Sequence, residues 1–271
     1  MSGALEERFL FAQRLADAAG AAILPHFRAH TEVTNKGAGA LDPVTAADRG
    51  AETAMRDLIL TAFPDDGIVG EEFGEHLGRN DLRWVLDPLD GTRAFISGQP
   101  MWGTLIALEQ RGAQVFGIID QPYLRERFSG VLRTTGTGRS GKAELRNASG
   151  IRELSVRTCA SLKEATITTT HPKAHFDAAG QMAFTRVETA CRLSRYGGDC
   201  YGYALLAMGA VDIIVEQGFA HWDLAALIPV VEGAGGILTD WGGKPFYGAP
   251  AAKARSEEHT SELQSHHDLV C

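Results

Sequence analysis

Apolar residues recur near the start of the chain at Leu5, Phe9, Leu10, Ala12, Leu15, Ala16, Ala19, Ile23 and Leu24. That spacing of three and four predicts an amphipathic helix over Leu5–Phe27. A second helix is expected over Thr45–Ala62, where Phe63-Pro64 ends it. The period then changes. Short apolar runs at Gly67–Val69, Trp84–Leu86, Trp102–Leu108, Val115–Ile119 and Phe128–Thr134 read as strands, and Gln110–Gly112 makes a tight polar turn. Pro88 is expected to stop the Trp84–Leu86 strand. Runs joined by short turns favour an antiparallel sheet. Downstream, strands are expected at Ala165–Thr169, Val211–Val215 and Gly236–Leu238, and helices at His175–Thr189, Tyr201–Met208 and Asp223–Glu232. A joint near Gly136–Gly150 divides the chain into an N-terminal lobe, 1–140, and a C-terminal α/β lobe, 141–254.

Composition narrows the class without deciding it. The chain has 271 residues, 44% of them hydrophobic and 22% charged, which suits an ordinary soluble globular protein with one large core or two tightly packed lobes. A net charge of −8 argues against a nucleic-acid scaffold. No apolar run approaches the ~20 residues of a membrane span. Met1–Glu7 lacks a signal-peptide pattern, and Cys159, Cys191 and Cys200 have no ligand or disulfide spacing. A cytoplasmic protein with reduced thiols is expected. Gly136–Gly141 matches a dinucleotide-binding glycine pattern, but the polar Lys142–Asn147 cannot supply the helix that such a site needs, so a flexible hairpin is expected. His171–His175 has a zinc-like spacing, yet Pro172 bars a continuous helix face, and a loop leading into a helix is the expectation.

The chemistry concentrates in Asp87-Pro88-Leu89-Asp90-Gly91-Thr92. Two carboxylates this close repel unless a cation lies between them. Mg²⁺ takes such oxygen ligands together with substrate phosphate. Gly91 lets the backbone approach an anion, and Thr92 adds a hydroxyl. A strand-end acid followed by an ordinary Asp-Gly turn is the alternative. Other acids sit at element ends: Glu71 after Gly67–Val69, Asp48 early in the second helix, and Asp223 at a helix start, where it could serve only as a cap. Acids so placed, beside a Gly-Thr turn, meet the needs of two-metal phosphoryl chemistry, with cations ~3.5–4 Å apart.

These motifs, Asp42–Asp48, Gly70–Glu72, Asp87–Thr92 and Trp222–Ala225 with Glu232–Gly236, occur in one order. Together they resemble the inositol monophosphatase superfamily over most of Lys36–Pro245. The resemblance implies Mg²⁺-dependent hydrolysis of a phosphate monoester by a homodimer whose chain folds as a layered α/β/α/β/α sandwich. It implies that Glu71, Asp87 and the Leu89 carbonyl hold one Mg²⁺, that Asp87, Asp90 and Asp223 hold a second, and that a weaker third lies near Glu71. Gly91 and Thr92 amides would grip the phosphate, with Thr92 hydrogen-bonded to Asp48 as the proton route. It also implies a further strand and helix after Gly242–Phe246. Arg255–Cys271 instead resembles the in-frame translation of a sequencing adapter and is expected to be foreign to the domain.

Substrate choice is expected to rest on Gly198, Asp199 and Glu216. Two acids beside a leaving-group pocket suit a cationic alcohol. Arg195–Tyr201, with Gly117–Pro122 and Leu124–Arg127, is similar to the histidinol-phosphate phosphatases of this superfamily, which act in histidine biosynthesis. An inositol-1-phosphate or broad sugar phosphatase is the alternative.

Overall fold

The computed structural model describes residues 2–29, 33–35, 43–135, 138–245 and 269–270. Helix α1 (Gly3–Ile23) is followed by a short 3-10 turn, and β1 (Val33–Asn35) pairs with β2 (Pro43–Thr45) ahead of α2 (Ala46–Ala62). The strands β3 (Gly67–Gly70), β4 (Gly74–His76), β5 (Leu82–Asp90), β6 (Gly103–Gln110), β7 (Ala113–Gln121), β8 (Glu126–Thr135), β9 (Gly138–Asn147) and β10 (Gly150–Glu153) form one sheet, ordered β10-β9-β8-β7-β6-β5-β3-β4. Its pairings are antiparallel except for β3 with β5.

Period-two patterning buries both faces of this sheet. Trp84, Leu86, Ile106, Leu108, Phe116 and Ile118 pack with Leu15, Ala19, Ala51, Met55 and Ile59 of α1 and α2. Their neighbours Val85, Leu105, Ala107, Ile119 and Phe128 face the other way. There they meet α5 (Asp199–Ala207), α6 (His221–Ala225) and α7 (Leu227–Gly233). A smaller sheet lies beyond, ordered β12-β11-β13-β14, from β11 (Thr166–Thr169), β12 (Leu193–Tyr196), β13 (Ile213–Glu216) and β14 (Leu269–Val270). Ile214 of β13 joins the α5–α7 core, whereas Ile167 and Val215 pack against Phe184 of α4 (Ala178–Ala190). The layers therefore run helices, sheet, helices, sheet, helix, as the α/β/α/β/α expectation requires. Among the described residues, no helix is long and apolar enough to cross a membrane.

Four expectations change. Strand β5 does not stop at Pro88 but continues to Asp90, with its register to β6 slipping between Asp87 and Asp90. Proline cannot donate to the ladder, so the chain bulges there rather than ending. From Gly138 on, the joint expected at 136–150 belongs to the large sheet: β9 pairs with β8 and β10 with β9, so a boundary at 140/141 falls inside a strand. Gly136 and Thr137 lie outside the described residues. The helix expected over Asp223–Glu232 begins at His221 and is divided at Ala226. Pro229 cannot bond back to the preceding turn. Gly236–Leu238 is not a strand: Gly235 turns the chain at φ +86°, and the Gly236 amide donates back to the Val231 carbonyl at 2.9 Å. Those glycines are used in ending α7. Of the segment expected to be foreign, Leu269 and Val270 pair with Glu216 and Val215; 255–268 and Cys271 lie outside the described residues.

Candidate active site

The bulge in β5 turns consecutive carboxylates toward the α5–α7 layer. Thr104, buried on β6, donates to the Pro88 carbonyl at 2.8 Å and holds the bulge in place. Asp87 accepts the Leu89 amide at 3.0 Å, Asp90 the Cys200 amide at 2.7 Å, and Asp223 the Ala220 amide at 2.7 Å. Each acid is thus oriented by a backbone donor while keeping oxygen lone pairs for another partner. Oxygens of Asp87, Asp90 and Asp223 lie within 4.8 Å of one another. Two chain segments far apart in sequence, the end of β5 and the start of α6, meet here.

Burial pushes the Asp87 carboxyl well above the usual carboxylate range, and Glu71, Asp90, Asp223 and Asp48 add to the shift by repulsion. Asp223 is raised well above that range by burial and then by Asp90. Asp90 is also raised by burial, against the hydrogen bonds from Cys200 and Gly91. Acids that raise one another's pKa in this way form a hard-oxygen donor set that a divalent cation would relieve. The residues present therefore fit Mg²⁺. Glu71 and Asp48 belong to the same electrostatic cluster as Asp87.

Gly91 has φ +79° and ψ 35°, a left-handed conformation that glycine adopts without strain. A Cβ there would meet the Met101 carbonyl at 2.9 Å and Asp199 Cβ at 3.1 Å. Thr92 opens the short helix α3 (Thr92–Ile96). Its hydroxyl donates to the Leu89 carbonyl at 3.0 Å, where a bond to Asp48 was expected. One hydroxyl proton serves one acceptor at a time.

Asp199 and Glu216 do come together. With Asp90, Asp223, Cys200 and Thr170 they line one cavity of about 120 Å³. Gly198 precedes Asp199 as the cap of α5. Asp199 itself has φ +42°, sparsely populated backbone for a side-chain-bearing residue and out of keeping with an ordinary helix-start acid. Burial, then the charges of Asp90 and Glu216, push its carboxyl up to about 8, while Arg93 opposes the shift. Glu216 accepts the Thr170 amide and the Thr169 hydroxyl, the latter at 3.2 Å. Burial pushes it up to about 7 despite those bonds.

Two supporting acids escaped the sequence reading. Glu52 on α2, fully buried, accepts the amides of Glu72 (2.7 Å) and Phe73 (3.3 Å) and pairs with Arg56 at 2.7 Å. It fixes the loop that carries Glu71. Glu109 on β6 binds Arg83 at 2.7 Å and lies 3.0 Å from His221 Nε2, two residues before Asp223. Burial opposes its charge, but His221 and Arg83 prevail and hold its carboxyl below the usual range. In the sequence both read as ordinary surface acids on amphipathic elements; only their burial marks them.

Comparison with known proteins agrees with this fold. A model described as the Inositol monophosphatase family matches residues 4–269. Bifunctional phosphatase IMPL2, chloroplastic, from Arabidopsis thaliana is 42% identical over 234 residues, 86% of this chain; the match spans 64% of that protein's length. A histidinol-phosphatase from Chlorobaculum parvum is 38% identical, covering 86% of this chain and 85% of its own. Among solved structures, an inositol monophosphatase from Zymomonas mobilis superposes with a TM-score of 0.76 at 41% identity, covering 92% of both chains.

Proposed function

From the premise that the chain belongs to the inositol monophosphatase family of phosphatases, we propose that it is a Mg²⁺-dependent phosphatase whose substrate is L-histidinol phosphate. The observation that carries the substrate reading is the cavity in which Asp199, at its strained φ, faces buried Glu216 beside Asp90 and Asp223. Acids in a half-enclosed pocket favour a leaving group that brings a positive charge, because burying them without one is costly. Histidinol carries an amine and an imidazole. A histidinol-phosphatase relative at 38% identity supports the same reading. The Zymomonas inositol monophosphatase at 41% identity favours the second reading, a neutral cyclitol phosphate.

In the proposed mechanism, Glu71, Asp87, the Leu89 carbonyl, Asp90 and Asp223 would hold two Mg²⁺ ions, with a weaker third near Glu71. When bound, Mg²⁺ neutralises charge developing on the phosphate oxygens and makes water more acidic. The chain's own groups do the rest. The Gly91 and Thr92 amides, at the left-handed turn that opens α3, bind the phosphate. Asp48, buried at the start of α2, accepts a proton by way of Thr92 Oγ1 once that hydroxyl rotates from the Leu89 carbonyl. Asp199 and Glu216, with the Gly198 backbone, hold the leaving alcohol. A cytoplasmic homodimer is part of the same proposal.

Charge-assisted hydrogen bonds contribute ~1.5–3 kcal/mol each. Asp199→Asn, which keeps shape and removes the charge that Asp199 carries at or above about pH 8 or opposite a bound cation, should therefore lower kcat/KM for L-histidinol phosphate roughly ten- to a hundred-fold in assays at pH 8. Hydrolysis of a small neutral ester such as 2-hydroxyethyl phosphate should be unchanged. Equal loss of both activities would assign Asp199 a structural role, and a wild-type preference for inositol 1-phosphate would install the second reading.

A further inference from the structure

The loop 171–177 leads from β11 to α4 and is held at both ends. His171 Nδ1 accepts the amides of Lys173 at 3.2 Å and Ala174 at 3.1 Å. Asp177 and Gln217 exchange bonds: the Asp177 amide donates to Gln217 Oε1 at 3.0 Å, and Gln217 Nε2 donates to Asp177 Oδ2 at 3.2 Å. Asp177 also caps α4 through the Gly180 amide at 2.7 Å. Between these anchors, half-buried His175 lines the cavity that holds Asp199 and Glu216. Its Nε2 lies 3.4 Å from Nη1 of Arg93, the residue that follows the Gly91-Thr92 turn. A loop so anchored presents its side chain with little freedom, which is what a selective contact requires.

We propose that His175 is a specificity-determining residue whose imidazole forms the wall against which a ring-bearing leaving alcohol packs, with Arg93 setting the orientation of that ring. The inference rests on the reading that this cavity receives the leaving alcohol, but not on which alcohol it is. Burial, then Arg93 and His171, lower the pKa of His175, which favours the neutral ring and lessens its repulsion of a cation. A flat neutral ring offers a stacking face and a nitrogen for hydrogen bonding. A small acyclic alcohol would not reach it.

The test compares Mg²⁺-loaded wild type, His175→Ala and His175→Gln on L-histidinol phosphate, inositol 1-phosphate and 2-hydroxyethyl phosphate. For the ring-bearing ester that wild type prefers, His175→Ala should raise KM about tenfold with kcat little changed, the scale of one lost packing contact. Inhibition by the corresponding free alcohol should weaken in parallel, and 2-hydroxyethyl phosphate kinetics should stay within about twofold. His175→Gln keeps a polar group for Arg93 but loses the ring, so it should show the same ring-selective loss; it decides the matter if the alanine variant does not fold. No change in either variant, or an equal change on ring-bearing and acyclic esters, overturns the proposal. A wild-type preference for inositol 1-phosphate removes the histidinol reading while leaving the His175 comparison to be made on that ester.

Discussion

At the scale of single residues, the site is built from acids whose cost is set by their neighbours. Asp90 shows this most directly, because it meets Asp87 and Asp223 on one side and Asp199 on the other. Replacing it by asparagine removes charge without volume. The Cys200 amide keeps an oxygen acceptor, so the fold should survive. If two Mg²⁺ ions share this cluster, Asp90→Asn should lower kcat by at least about 10²-fold, the scale seen when one charge-stabilising group is lost from an active site. EDTA should abolish turnover of the unaltered protein, and added Mg²⁺ should restore it. Steady-state kinetics on a phosphate ester checks both, and full activity in either case would remove the metal hypothesis.

At the scale of elements, the position of Asp223 depends on how closely α6 and α7 lie on the large sheet. A Cβ on Gly117 of β7 would fall 2.2 Å from the Ala226 carbonyl oxygen, and one on Gly130 of β8 would fall 2.0 Å from that of Pro229. Backbone against backbone cannot give way as a flexible side chain can. Gly117→Ala should therefore displace the helix pair, destabilising the protein by ~1–3 kcal/mol, the usual cost of overpacking. Asp223 would move with α6, so Mg²⁺ affinity should fall about tenfold even though residue 117 touches no proposed ligand. Thermal melts and Mg²⁺ titration test the pair of effects. A stability loss with unchanged Mg²⁺ binding would show that the position of Asp223 does not depend on how closely the helix pair lies on the sheet, and that local contacts such as the Ala220 amide and Glu109–His221 suffice.

For the whole molecule, the acidic cluster makes stability depend on pH and cation together. Asp87, Asp90, Asp199, Glu216 and Asp223 all have folded pKa values raised above their unfolded ones. Such groups contribute stability below the unfolded carboxylate range, and that contribution is lost as pH climbs through the folded values, about 7 for Glu216 and about 8 for Asp199. The carboxyls lowered by partners, Glu109 and Asp212 among them, act in the opposite sense, but their gain is complete once pH exceeds their unfolded range. Metal-free protein should therefore melt several degrees lower at pH 8 than at pH 5, roughly 5 °C for a few kcal/mol. Mg²⁺ binds the charged forms, so the stabilisation it adds should be larger at pH 8. Calorimetry across pH with and without Mg²⁺ tests this. A metal-free melting temperature that rises from pH 5 to pH 8 would contradict it.

Local pattern was enough for most of the elements. The three-and-four spacing of Ala12, Leu15, Ala19 and Ile23 requires α1 whatever surrounds it, and the alternation of Leu105, Ile106, Ala107 and Leu108 puts β6 between two apolar layers. The acid-rich motifs at Asp87–Thr92, Glu71 and Asp223 were legible because carboxylates at element ends need a partner, and their order along the chain carried the family resemblance. Tertiary structure decided what depends on residues distant in sequence. It carried β5 through Pro88, because β6 was there to accept a bulge. It drew β9 and β10 into the first sheet, because β8 offered an open edge. It gave Glu52 and Glu109 their buried roles, since an acid on an amphipathic face reads the same whether water or a backbone amide meets it. And it brought His175, on the loop before α4, and Asp199, at the start of α5, to one cavity that only the closure of the C-terminal layers forms.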